Sequence, residues 1–324
     1  MLQTGFIFSC SILINYILSY FYQYIFLSIP AIKWNFYTGH FVQLLISALS
    51  FLLPAIFFGR AFGFDFKRNL DIRCLLPKAK SGSTRHTGNK SLNLLWAALL
   101  GVVAVPIVTQ LNNLFVYLIR PVLANPEMSF SDVPASPTGL IYIIIMSALY
   151  PAIAEELYFR GVLTEPLRGK MPPYALIIFG AFLFAISHFS LKLLMAPFLM
   201  GIIFGYLTWK TRSLIPAMVT HFVYNTLVLV VNYLSVNWIL ITDTTDGPGI
   251  LYLILKILSC AGLIVILCYA VNRSDPDRST QSGDAAGELS FKKYTSKLRL
   301  MDFVSFLPGA FLLFMTFLQE LSFL

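Results

Sequence analysis

The chain is a succession of apolar runs, each long enough to cross a bilayer as helix; a ~30 Å hydrocarbon core needs about 20 helical residues. The runs cover roughly 5–29, 38–58, 94–118, 139–163, 173–190, 193–209, 213–236, 250–271 and 302–323. They are too long, and too apolar on both faces, to alternate as membrane barrel strands do. The expected fold is therefore all-α, a polytopic transmembrane helical bundle of about nine spans, with residues 1–324 forming a single membrane domain. Composition agrees. Charged residues make up 12% of the chain, where a soluble domain carries about 25%, and the mean hydropathy is +0.76.

A net charge of +8 would suggest nucleic acid in a soluble protein. Here the distribution points to membrane orientation instead, and no nucleic-acid partner is expected. Of the 23 Lys and Arg, only Lys33, Arg120, Lys192 and Lys256 lie outside segments 59–93, 160–172, 210–212 and 272–301. Those four segments fall on one side of a nine-span chain. Basic loops stay cytoplasmic, which predicts a cytoplasmic N-terminus and makes 59–93 and 272–301 cytoplasmic loops. The opening Met-Leu-Gln-Thr-Gly lacks a basic stretch, so the first run is expected to be a retained helix. Cys10, Cys74, Cys260 and Cys268 show no C-x-x-C spacing and are expected to be small apolar fillers.

Against this background some polar residues stand out. Glu155 and Glu156 lie in the fourth run, where an ionised side chain costs roughly 2.5–3.5 kcal/mol at mid-helix. They are expected to face protein or a wet cavity. Glu156 and Arg160, four residues apart, share a helical face and can pair. Glu155 points elsewhere, about 100° round the helix. Pro151 removes a backbone hydrogen bond and is expected to kink this helix. Phe184 and His188 share one face of the fifth run, and His221 and Asn225 one face of the seventh. His40 and His86 are expected to be solvated and uninvolved.

Glu155, His188, His221 and Asn225 on three neighbouring spans suggest one site. A carboxylate can act as general base on water, with a histidine orienting that water or passing the proton on. A second histidine and an amide can donate to a developing oxyanion. Alternatively, Glu155, His188 and His221 could hold a divalent metal such as zinc, with Asn225 behind them. The chain lacks H-E-x-x-H and G-x-S-x-G, so both choices stay open on the residues alone.

Three motifs stand in order: Glu155-Glu156-Leu-Tyr-Phe-Arg160, Phe184-Ala-Ile-Ser-His188 and His221-Phe-Val-Tyr-Asn225. Here the chain resembles the CPBP family, the CAAX proteases and bacteriocin-processing proteins, which includes the Ras-converting CAAX endopeptidases. The match covers roughly residues 139–236, the expected catalytic core. The resemblance implies an intramembrane endopeptidase acting on a peptide or protein near the membrane surface, in a multi-pass protein of, by expectation, a bacterial cell membrane. It implies Glu155 as general base with His188, an oxyanion site of His221 and Asn225, and support from Glu156, Arg160 and Phe184. The family is often labelled metalloprotease; the motifs do not decide whether a metal takes part.

Two other functions fit the same residues. One is a non-catalytic membrane scaffold or immunity-type protein that keeps the fold and its polar core for assembly. The other is a proton-coupled transporter, which would want a further acidic residue or histidine on the early spans. Depth is awkward for every reading. A fifth span starting at Pro173 would carry His188 roughly 22 Å in, against about 12 Å for His221. Tilt, an early start, or a shallow hairpin with the sixth span would reconcile them, and Gly201 and Gly205 would allow the close packing a hairpin needs.

Overall fold

A computed structural model describes residues 2–28, 35–66, 70, 90–124, 133–211, 213–237, 258, 262 and 300–321. Most of the predicted span 250–271, of the predicted loop 272–301 and of 59–93, together with His86, Cys74, Cys260 and Cys268, lie outside them. The described residues form helices and no β-strand; pairing outside helices is limited to two isolated bridges.

In chain order the helices are α1 (Leu2–Ser28), α2 (Phe36–Ser47), α3 (Leu53–Ala61), α4 (Lys90–Ile119), α5 (Pro137–Ile144), α6 (Tyr150–Glu156), α7 (Pro173–Ile186), α8 (Met195–Thr211), α9 (Ile215–Asn237) and α10 (Leu307–Gln319). Wider π turns join α2 to α3 (Ala48–Leu52) and α5 to α6 (Ile145–Leu149), and a third extends α6 (Leu157–Leu163). The first two precede Pro54 and Pro151. A proline ring clashes with the carbonyl four residues earlier and offers it no N–H, and a widened turn accommodates both defects. Pro151 therefore widens its helix locally.

Five stretches are long and apolar enough to cross a membrane: Gln3–Ile25, Phe36–Ala61, Leu94–Val122, Pro137–Leu167 and Ile215–Asn237. The other predicted spans, 173–190, 193–209 and 302–323, take the form of shorter helices of 14, 17 and 13 residues. At 1.5 Å per residue, α7 and α8 are only about 21 and 26 Å long.

These two helices form a close antiparallel hairpin. A Cβ on Gly201 would lie 2.9 Å from both Cα and Cβ of Ala181, and one on Gly205 would lie 3.2 Å from Ile177. The connecting turn contains Phe189 with φ of 53°, the left-handed region that lets the chain leave α7 sharply. Around the hairpin, α9 packs on α4 and α8, while α1 packs on α10 and the 3₁₀ turn Leu300–Phe306. The core shared by α2–α3, α6, α7 and α8 is aromatic. Phe51 meets Tyr158 and Phe159 at ring centroid distances of 5.2 and 5.5 Å, and Phe159 meets Phe184 at 5.1 Å.

Candidate active site

The site grows from α6 and its π extension. Glu156 is fully buried, and its Oε1 accepts from Arg160 Nη1 at 2.8 Å, one turn along. The guanidinium also donates through Nη2 to the carbonyl of Gly201 at 3.3 Å. That carbonyl is within reach because residue 201 has no side chain to hold α8 away. Aromatic faces cover the rest of the cation: its carbon lies 4.3 Å from the Phe184 ring centroid and 5.1 Å from that of Phe204. A buried guanidinium is tolerable only with such partners, a carboxylate, a carbonyl and π faces.

His221 joins this pair from α9. Its Nδ1 lies 3.1 Å from Glu156 Oε1, and a carboxylate can only accept, so Nδ1 donates. Its ring stacks on Phe204, with centroids 4.6 Å apart and planes 20° from parallel. Held at Nδ1 and by one face, the imidazole presents Nε2 to Glu155, whose Oε2 is 3.9 Å away. That gap exceeds a hydrogen bond and suits a bridging water. Glu155 keeps 15% of its side-chain surface open, unlike Glu156, so it is the carboxylate a solvent molecule can reach.

His188 sits just past the end of α7, in the turn of the hairpin. Its Nδ1 lies 2.8 Å from the carbonyl of Phe184, which fixes Nδ1 as the donor and Nε2 as the free nitrogen. The Phe184 ring meets it edge-on at 4.9 Å. His188 is within Coulombic range of Glu155, His221 and Arg160. The hairpin thus brings the histidine that was expected to lie too deep into the neighbourhood of the glutamates.

Asn225, one turn beyond His221, donates Nδ2 to the carbonyl of Ser147 at 3.4 Å. In a regular helix that carbonyl would accept from residue 151, but Pro151 has no N–H to give. One amide hydrogen is so occupied and the second remains.

The sequence motifs are therefore spatial neighbours, with three additions that sequence reasoning missed: the Gly201 carbonyl on Arg160, the Phe204 ring on His221, and the Ser147 carbonyl on Asn225. Only the last had a signal, the proline four residues on. His40, expected in water, is buried, with Nδ1 2.8 Å from the Phe36 carbonyl and the Phe36 ring 4.5 Å away.

Among the described residues no three His, Cys, Asp or Glu side chains are grouped to hold an ion. A cavity of about 880 Å³ adjoins the site through Arg160. Asp65, Glu165, Arg168, Trp209 and Lys210 are among its lining residues, whereas Glu155, His188 and His221 are not.

Comparison with known proteins gives the same answer as the motifs. No curated protein and no solved structure matches the chain significantly. A family model described as type II CAAX prenyl endopeptidase Rce1-like matches residues 137–227, the stretch from the start of α5 into α9 that carries all three motifs. Over these residues the chain is similar to type II CAAX prenyl endopeptidases, which supports a CAAX protease (CPBP) assignment.

Proposed function

We propose that this protein is an intramembrane endopeptidase that hydrolyses a peptide bond near the membrane surface through Glu155, His188, His221 and Asn225. The observation that carries the reading is the orientation of His221. Glu156 takes one ring nitrogen at 3.1 Å, which turns the other toward the partly open Glu155 at 3.9 Å. A buried carboxylate that orients a histidine toward an accessible one is an arrangement for moving protons.

In this mechanism Glu155 removes a proton from water as its oxygen attacks the carbonyl carbon, and His188 orients that water through its free Nε2. Negative charge gathers on the carbonyl oxygen, where the spare Asn225 amide hydrogen donates, joined by His221 Nε2 when its ring carries both protons. The proton held by Glu155 then passes to the departing nitrogen as the carbon–nitrogen bond breaks. Arg160 holds Glu156 in place without touching substrate. No step is routed through a metal.

Topology belongs to the same reading. The protein is a multi-pass resident of a bacterial cell membrane with a cytoplasmic N-terminus, its short helices completing a bundle of about nine passes. The substrate is a peptide or protein segment at the bilayer.

The test is cleavage of a membrane-proximal peptide library by protein reconstituted in liposomes. The parent cleaves, while Glu155→Ala and His188→Ala variants, folded by circular dichroism, do not. Undiminished cleavage by both variants overturns the assignment. A non-catalytic scaffold of the same fold is the second reading, favoured by the burial of Arg160 and His221 together on Glu156 Oε1. It requires that Glu155→Ala retain full biological activity and the same bound partner.

A further inference from the structure

The turn between α7 and α8, residues 187–194, lies between two apolar helices, so its free backbone groups have little water to turn to. Some are paired locally: His188 N–H with the Ala185 carbonyl and Phe189 N–H with that of Ile186, both at 3.2 Å. Three more are held from outside the hairpin. Leu191 N–H donates to Glu320 Oε2 at 2.6 Å. The Lys192 carbonyl accepts from Asn112 Nδ2 at 3.1 Å. Ala196 N–H, in the first turn of α8, donates to Asn112 Oδ1 at 3.1 Å.

Asn112 is buried and lies on α4. Glu320 follows α10, and its own carbonyl accepts from Ala124 N–H at 2.9 Å, just beyond the end of α4. Both holders are thus referenced to α4, a helix outside the three motifs. An asparagine amide suits its place because it donates to one backbone group and accepts from another, and aspartate or leucine would lose one bond or both. His188 lies three residues before Leu191, and its imidazole is tied to the Phe184 carbonyl. Where the turn sits, the imidazole sits.

We infer that Asn112 and Glu320 are positioning residues for His188, pinning the hairpin turn at the depth of Glu155 and His221. The catalytic consequence rests on the peptidase reading above; the positional claim does not. Three measurements on reconstituted Asn112→Ala, Glu320→Ala and Glu320→Gln variants test it. They are hydrogen exchange of residues 187–196, the nitrogen-15 signal of the His188 imidazole assigned with His188→Gln, and steady-state cleavage.

Both alanine variants are expected to exchange faster at Leu191 and Ala196 and to shift the His188 signal. Their kcat falls about ten- to hundredfold with KM within about twofold, because a reacting group is misplaced while the surfaces that bind substrate stay intact. Glu320→Gln keeps an acceptor for Leu191 and restores all three readouts. An unmoved His188 signal in both alanine variants overturns the inference, as does a Glu320→Gln variant as defective as Glu320→Ala. Should the parent cleave nothing, the peptidase reading fails by itself, and exchange with the His188 signal decides the positional claim. Should Asn112→Ala not fold, Glu320→Ala and Glu320→Gln carry the same comparison.

Discussion

Asn225 donates its side-chain amide to the carbonyl of Ser147, the group that Pro151 leaves without its usual helical partner. A backbone defect on one helix thereby fixes a polar side chain on another, 78 residues away in sequence. If the second amide hydrogen serves the oxyanion, Asn225→Ala lowers kcat about 10²–10³-fold with little change in KM. Pro151→Ala, which supplies the missing N–H, competes for Ser147 and lowers kcat in the same direction. Steady-state kinetics on the two variants check this; an unaffected kcat in Asn225→Ala removes the residue from the chemistry.

The Glu156–Arg160 pair should behave as a buried pair. Removing one partner strands the other charge, so Arg160→Met destabilises by about 3–5 kcal/mol. Arg160→Lys does not rescue it, because an ammonium cannot reach both Glu156 and the Gly201 carbonyl or lie flat on Phe184. Thermal unfolding in detergent gives the ranking: parent above both variants, with Arg160→Lys closer to Arg160→Met than to the parent.

Packing of the hairpin predicts an order between two glycines. A methyl at residue 201 meets the backbone and Cβ of Ala181 at 2.9 Å, with nothing flexible to move. At residue 205 it meets the Cγ2 methyl of Ile177 at 3.2 Å, with the Cα at 3.6 Å, a looser contact. Gly201→Ala should cost about 1–3 kcal/mol, and Gly205→Ala less. The same melting experiment checks both, and the reverse order would contradict the antiparallel register described.

Orientation can be tested with single cysteines in a background lacking the native four. With a cytoplasmic N-terminus, Lys170→Cys reacts with an impermeant maleimide only in opened cells. Val122→Cys, at the far end of α4, reacts in intact ones. Both sites are exposed in the fold. The opposite labelling pattern would invert the topology.

Much of the site was readable because helices repeat every 3.6 residues: Glu156 with Arg160, Phe184 with His188 and His221 with Asn225 are each one turn apart. The pairing of Glu156 with His221 was not, since it joins elements 65 residues apart and no local period encodes it. Residues 173–190 and 193–209 fold as helices of 14 and 17 residues packed in a close hairpin, a partnership that run length does not encode. Asn112 and Glu320 were invisible because a lone amide in a long apolar helix and a carboxylate near a chain end carry no pattern. His40 failed similarly: its position at a helix start suggested water, yet its nitrogen is taken by the carbonyl of Phe36.

The cage around Arg160 also limits how the molecule can move. Its guanidinium is joined at once to α6, α7 and α8, and through Glu156 to α9. Parting any of these helices would leave a cation facing hydrocarbon, a cost of several kcal/mol that thermal motion rarely meets. The four helices therefore travel as one block. A gate that admits a polypeptide must be cut from the helices packed around that block, and a disulfide clamping two members of the block together should leave turnover untouched.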